Sequence, residues 1–462
     1  MFDSHTYIQR RARLKKDMSS GIILFLGNTE SPMNYPANVF RFRQDSSFLY
    51  FWGLDEPGLS AIIDIDEDRE IIFGNDVSID DIIWTGPLPT MKEKSGAVGV
   101  KETLPVSKLN EIVTEATGKG KKVHFLPQYR ADNSITIGNL LNMKPEQIKE
   151  NVSEKLIKAV VSQRSIKSAE EIEQIEQALD TAYEMHTTAM KITKPGIYER
   201  EVAGVIEGIA SSKGSGTSFP IIFSIHGEIL HNPYHENLMK EGNIAINDSG
   251  AESLMHYASD ITRTIPVGGK FTQKQKDIYE IVLNAQMVAI HAMKPGIMFR
   301  DVHMLAVKTI AKGLNNLGLM SGDIDEAVEQ GAHAMFMPHG LGHMMGLDVH
   351  DMEALGEDYV GYDETVQRSK QFGKASLRMA KALQNGHVMT VEPGIYFVPD
   401  LIDQWKAAGK FTEFINYNAV EEFRNAGGIR IEDDVLVTEN GHRVLGKPIP
   451  KAVEDVEMMC AG

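Results

Sequence analysis

Four stretches of this 462-residue chain carry acids and histidines in settings unlike a solvated surface. In residues 244–266 (IAINDSGAESLMHYASDITRTIP), Asp248 ends an apolar alternation, and Asp260 precedes Ile261, Thr262 and Ile265. Both read as strand residues pointing away from the apolar face, joined by a turn containing Gly and Ser. Residues 338–351 (PHGLGHMMGLDVHD) set His339, His343 and His350 among glycines. Residues 388–397 (VMTVEPGIYF) put Glu392 inside an apolar, strand-like run. Residues 428–438 (GIRIEDDVLVT) alternate, with Ile429 and Ile431 on one face and Arg430 and Glu432 on the other.

A carboxylate inside such a run needs a compensating cation, because a lone buried charge is very costly. Arg430 alone cannot balance Asp248, Asp260, Glu392 and Glu432. Two divalent cations can. Four carboxylates and an imidazole suit a pair of fairly hard metals such as Mn2+, Co2+ or Zn2+. Such a pair sits roughly 3.5–4 Å apart and shares a water that becomes a hydroxide nucleophile near neutral pH. Each residue also has a plainer reading. Asp248 or Asp260 taken singly is a turn or cap residue, and His350 alone is a packed core histidine. His339 and His343 form HxxxH, but Gly340 stands where the zincin motif needs Glu, and no Gly-Lys-Ser/Thr follows to make a phosphate loop. The joint occurrence, in this order on strand-like frames, favours the metal site.

Two regions must position these groups. Residues 1–160 read as one α/β unit, with strand-like runs GIILFLG, LSAIIDID and EIIFG separated by turns. Within it, residues 40–51 (FRFRQDSSFLYF) read as a half-buried strand and loop. Residues 161–462 form the second region. Ser168 with Glu171 three residues on is a capping-box signature, and Ile172, Ile175 and Leu179 follow at helical spacing. Lys194-Pro195-Gly196-Ile197 recurs as Lys294-Pro295-Gly296-Ile297, each copy lying between two helical patterns. This echo favours a duplicated α/β half over chance, hence a pseudo-two-fold domain with a site at its seam.

Composition narrows the class. The formal charge is −17, from 47 Lys+Arg against 64 Asp+Glu, which argues against nucleic acid or an anionic membrane as partner. The single cysteine, Cys460, leaves no intramolecular disulfide and no Cys-rich zinc module. Residues 1–16 are polar and lack the apolar core of a signal peptide, so a cytoplasmic protein is expected.

Together the four segments resemble the pita-bread metallopeptidases, the family of methionine aminopeptidase, aminopeptidase P and prolidase, from about Arg164 onward. The resemblance implies an α+β chain: a pseudo-two-fold pita-bread catalytic domain in residues 161–462 behind a smaller α/β domain in residues 1–160. It implies five metal ligands, Asp248, Asp260, His343, Glu392 and Glu432, holding two divalent ions, Mn2+ foremost. Asp260 lies one residue further from Asp248 than is usual in the family, which lengthens a turn and leaves the ligands in place. The resemblance also makes His231 (in EILHNPYHEN), His339, His350 and Arg430 catalytic helpers or substrate contacts, although His226 and His235 stand close to His231.

The segment FRFRQDSSFLYFWGLDEPG looks like the N-terminal domain of aminopeptidase P and prolidase, which methionine aminopeptidases lack. Those two branches cut before proline. SLRMAKALQNGHVMTVEPGIYF is similar to prolidase, and Arg378 falls on the arginine that there holds the dipeptide's C-terminal carboxylate. A guanidinium fork suits that role; the plainer reading of Arg378 is a solvated helix residue between Lys374 and Lys381. The resemblance therefore implies hydrolysis of Xaa-Pro dipeptides, with Glu392 shuttling the proton and His350 and His231 hydrogen-bonding the oxyanion. The alternative is an Xaa-Pro aminopeptidase acting on longer peptides, which the N-terminal motif and VLVTENGHRVL suit equally. More remote are a pita-bread protein that only binds and a metal-free creatinase-like hydrolase. The expected partners are a proline-containing peptide and a second copy in a homodimer, with no nucleic acid and no membrane.

Overall fold

A computed structural model describes residues 1–461, which divide into two units: Met1–Arg164 with Ala354–Tyr359, and Ser165–Glu353 with the chain from Val360 on. In the first, the apolar run Ile22–Leu26 is buried along its whole length. It pairs antiparallel with Ser60–Asp64 and parallel with Val123–His124, inside a five-stranded mixed sheet completed by Arg69–Phe73 and Glu102–Leu104. A strand packed on both faces needs a continuous apolar sequence, and IILFL supplies one. Side chains such as Ile22, Leu24 and Phe73 form its core with Val113, Phe125 and Ile137. Each large apolar side chain buried this way contributes about 1.5–3 kcal/mol.

The reading of residues 40–51 as strand and loop is corrected. Ser46–Trp52 is an α-helix with every residue buried. The Asp45 side chain accepts from Phe48 N at the helix N-terminus, and Gly53 ends the helix in the left-handed region at φ 63°. A helix buried on all sides shows no 3.6-residue pattern, so its sequence cannot be told from that of a buried strand. The buried Arg11 guanidinium fastens the helix end, donating to Phe51 O at 2.8 Å, to Val98 O at 2.9 Å and to Glu70 at 2.8 Å.

The second unit opens on the helix Ala169–Ile192, whose capping box is formed as the sequence suggests. Ser168 accepts from Glu171 N, and the Glu171 carboxylate accepts from Ser168 N at 3.0 Å. Ser168→Ala should lower the unfolding free energy by about 1 kcal/mol, read as a lower urea midpoint at unchanged m. The repeated tetrapeptides make matching hydrogen bonds. Gly196 N donates to Met239 O at 2.9 Å and Gly296 N to Leu383 O at 2.8 Å. Met239 N returns to Ile197 O, and Leu383 N returns to Ile297 O. Glu199 N meets Asn237 O where Phe299 N meets Lys381 O. Both glycines have positive φ, 89° and 86°, which explains the residue type. The matching bonds show two halves built alike.

Each half contributes a sheet. Ile244–Ser249 lies between Ile222–Ser224 and Ile261–Pro266, all antiparallel. Asp433–Thr438 lies between Val388–Val391 and Gly441–Val444, with the ribbon Gly394–Tyr396/Gly428–Arg430 beside it. The halves are stitched along one line: Glu432 N donates to Thr262 O at 3.0 Å, and Thr264 Oγ1 donates to Arg430 O at 3.0 Å. Among the described residues no helix is long and apolar enough to cross a membrane.

Candidate metal centre and active-site cavity

The stitch brings the acids together. Asp248 is on Ile244–Ser249 opposite Thr262, and Asp260 stands one residue before Ile261–Pro266. Glu392 follows Val388–Val391, and Glu432 precedes Asp433–Thr438. His343 is held by backbone: Thr390 N donates to His343 O at 3.0 Å, and Glu392 N donates to Leu341 O at 2.9 Å. Gly342 permits this approach, since a Cβ there would stand 2.0 Å from Thr390 O.

Asp248, Asp260, His343, Glu392 and Glu432 line one cavity of about 330 Å³. His343 Nε2 lies 3.4 Å from Asp260 Oδ2 and 3.6 Å from Glu392 Oε1. Donor atoms of Asp260, His343 and Glu432 fall within 4.8 Å of one another, close enough to share one ion. His343 Nδ1 is 3.1 Å from Met344 O, and a carbonyl only accepts. The Nδ1 proton is therefore fixed, and Nε2 keeps its lone pair for a cation.

Electrostatics favour the same occupant. Burial, then the charges of Asp260 and Asp248 working against Arg430, pushes the Glu392 carboxyl up to about 8. Burial and Asp248 raise Asp260, and burial with Asp260 and Glu392 raises Glu432. Burial lowers His343 to about 4, so it is neutral at physiological pH. Asp260 Oδ1 is buried without a hydrogen-bond partner. Crowded carboxyls, a neutral imidazole and an orphaned oxygen are what a divalent cation relieves, so these residues fit a metal.

The other expected residues divide. His231, His350 and Arg378 line the same cavity, with Phe219, Pro220 and Val349 forming its apolar wall. Of the three neighbouring histidines only His231 lines it; His226 pairs with Glu228 at 3.0 Å and His235 with Ile221 O at 3.0 Å. The His350 ring stands edge-on to His343 at 4.3 Å between centroids. His339 and Arg430 lie behind the acids. Arg430 Nη2 donates to Asp248 Oδ2 at 2.5 Å and Nη1 to Tyr396 Oη at 2.8 Å. His339 Nδ1 is committed to Gly340 O at 2.7 Å, so Tyr396 Oη donates to Nε2 at 2.9 Å. Burial lowers His339 to about 3 and keeps it neutral in this chain of bonds. Arg378 is in an irregular segment rather than a helix, its side chain 32% exposed.

Sequence reasoning missed four supporting side chains. Thr262 donates to Glu432 Oε2 at 2.7 Å and accepts from Arg430 Nε at 3.2 Å. Thr390 donates to Glu392 at 3.4 Å. Both stand two residues from an acid on a strand-like frame, hence on its face, and that spacing is the signal that could have found them. Tyr396 and Glu353 carry no such signal.

The model of metallopeptidase family M24 matches residues 173–439, and that of the aminopeptidase P N-terminal domain matches residues 7–124. The Xaa-Pro dipeptidase of Homo sapiens is 32% identical over 463 residues, covering 97% of this chain and 91% of that protein. The probable Xaa-Pro aminopeptidase pepP of Aspergillus niger is 32% identical over 432 residues, covering 91% and 89%. Among solved structures, aminopeptidase P from E. coli with the inhibitor Pro-Leu superposes with a TM-score of 0.82 at 29% identity, over 100% of this chain and 98% of that one.

Proposed function

The chain belongs to metallopeptidase family M24, and from that premise we propose that it hydrolyses the peptide bond preceding proline, in Xaa-Pro dipeptides above all. The observation that carries this reading is the convergence of four carboxylates and a neutral imidazole on one cavity that also holds Arg378. Asp248, Asp260, His343, Glu392 and Glu432 would hold two divalent ions, Mn2+ first among those the donors suit. Bound there, the ions supply Lewis acidity for a carbonyl and lower the pKa of water.

The chain's own groups do the rest. Glu392 takes the proton of the attacking water and passes it to the proline nitrogen. That nitrogen is a tertiary amide and must be protonated to leave. His231 hydrogen-bonds the developing oxyanion, and His350, whose Nδ1 proton goes to Glu353, donates there through Nε2 once it takes up a second proton. Arg430, through Asp248, and His339, through Tyr396, hold the acids in register. The apolar wall suits a pyrrolidine ring, and Arg378 pairs with the carboxylate that follows it.

A second reading, release of the N-terminal residue from longer peptides, is favoured by one observation: Arg378 Nε already has Glu353 Oε2 at 3.4 Å. An Xaa-Pro dipeptide compared with an Xaa-Pro-Xaa tripeptide separates the two. The dipeptide should be the better substrate, and Arg378→Ala should raise its KM about 10- to 100-fold with little change for the tripeptide. Equal or better tripeptide cleavage by the wild type moves the assignment to an aminopeptidase. A cytoplasmic homodimer completes the proposal. Ile79, Ile83 and Trp84 (87% exposed) on the helix Ile79–Thr85 support it by offering an uncovered apolar face.

A further inference from the structure

Glu353 lies outside the ligand set yet touches two cavity residues. Its Oε2 accepts from His350 Nδ1 at 2.6 Å and lies 3.4 Å from Arg378 Nε. The arrangement is built from both sides. Glu353 N donates to His350 O at 3.1 Å, which fixes the two residues on one turn. The Arg378 segment is tied by Ala380 N to Gly361 O at 2.8 Å and by Tyr362 Oη to Leu377 O at 2.6 Å. Glu353 is 42% exposed and Arg378, which lines the cavity, 32%, so the pair is open to solvent at the cavity edge.

A substrate carboxylate approaching Arg378 meets a guanidinium that already has a counter-ion, and it meets a like charge beside it. An amide in the same position carries no charge and escapes that repulsion. The pair is partly solvated, so displacing Glu353 is affordable but not free. We propose that Glu353 sets the chain-length selectivity of the site: as the internal counter-ion of Arg378 it competes with a free C-terminal carboxylate after proline and leaves a neutral amide there unaffected. This rests on the reading of Arg378 as the carboxylate clamp.

The test uses the metal-loaded full chain and two substrates, an Xaa-Pro dipeptide and its C-terminal amide. The readout is the acid-to-amide ratio of kcat/KM. Changes in His350 hydrogen bonding act on both substrates and cancel in the ratio. Glu353→Gln should raise the ratio about tenfold, equivalent to about 1.4 kcal/mol, through a lower KM for the acid. Glu353→Ala should move it the same way. Combined with Arg378→Ala, Glu353→Gln should raise the ratio clearly less than it does alone, because the competition for the guanidinium is gone and only the direct repulsion remains. A ratio unchanged or lowered in both Glu353 variants overturns the inference. If Arg378→Ala alone lowers the ratio while the Glu353 variants leave it, the clamp stands and only Glu353's role falls. If Arg378→Ala leaves the ratio untouched, clamp and inference fall together.

Discussion

Glu392→Gln is expected to lower kcat/KM for Xaa-Pro hydrolysis at least about a thousandfold while the protein stays folded. Glutamine keeps the shape beside Thr390 but neither ionises nor carries a proton from water to the proline nitrogen. The loss should appear in kcat, since the apolar wall and Arg378 are untouched. Folding should not suffer, because the carboxylate is a liability without a cation. Its pKa stands near 4.5 ordinarily and about 8 in the fold. Folding thus favours the protonated form: this group's contribution to the stability of the metal-free wild type is fully present below about 4.5 and is lost as pH rises through about 8. Glutamine removes the Glu392 share of that dependence, so metal-free Glu392→Gln should melt at or above the wild type at pH 8. Near-normal turnover with metal supplied would contradict the proton-shuttle role.

Asp260→Asn should be as damaging by another route. Asp260 offers an unpartnered buried oxygen and faces His343 Nε2 at 3.4 Å. The amide replaces an anionic donor with a neutral one and turns N–H groups toward the imidazole. Bound metal and activity should fall together, activity at least about a thousandfold. Melting curves separate this from misfolding. Added Mn2+ stabilises the wild type by about 2.7 kcal/mol at a hundredfold excess over Kd, and Asp260→Asn should lose that gain. Its metal-free form should be no less stable than the metal-free wild type, because one of the crowded carboxyls is gone.

The acids that meet in the cavity were legible because each interrupts an apolar strand-like run, which is conspicuous in sequence. The duplication was legible from two tetrapeptides because positive-φ glycines at both turns preserve the residue type. Ser46–Trp52 was not legible, since burial on every side erases periodicity. Glu353 was not legible either. It reaches His350 and Arg378 from an irregular segment, where no spacing rule links a side chain to its partners. Arg378 could be singled out only through resemblance, because its own segment has neither strand nor helix pattern.

Elemental analysis of the full chain, loaded with Mn2+ and dialysed against metal-free buffer, tests the shared-cation reading most directly. About two ions should remain per wild-type chain, and clearly fewer in Asp260→Asn. A wild type that retains none, or no more than the variant, would mean that the buried acids and His343 meet for some purpose other than holding metal.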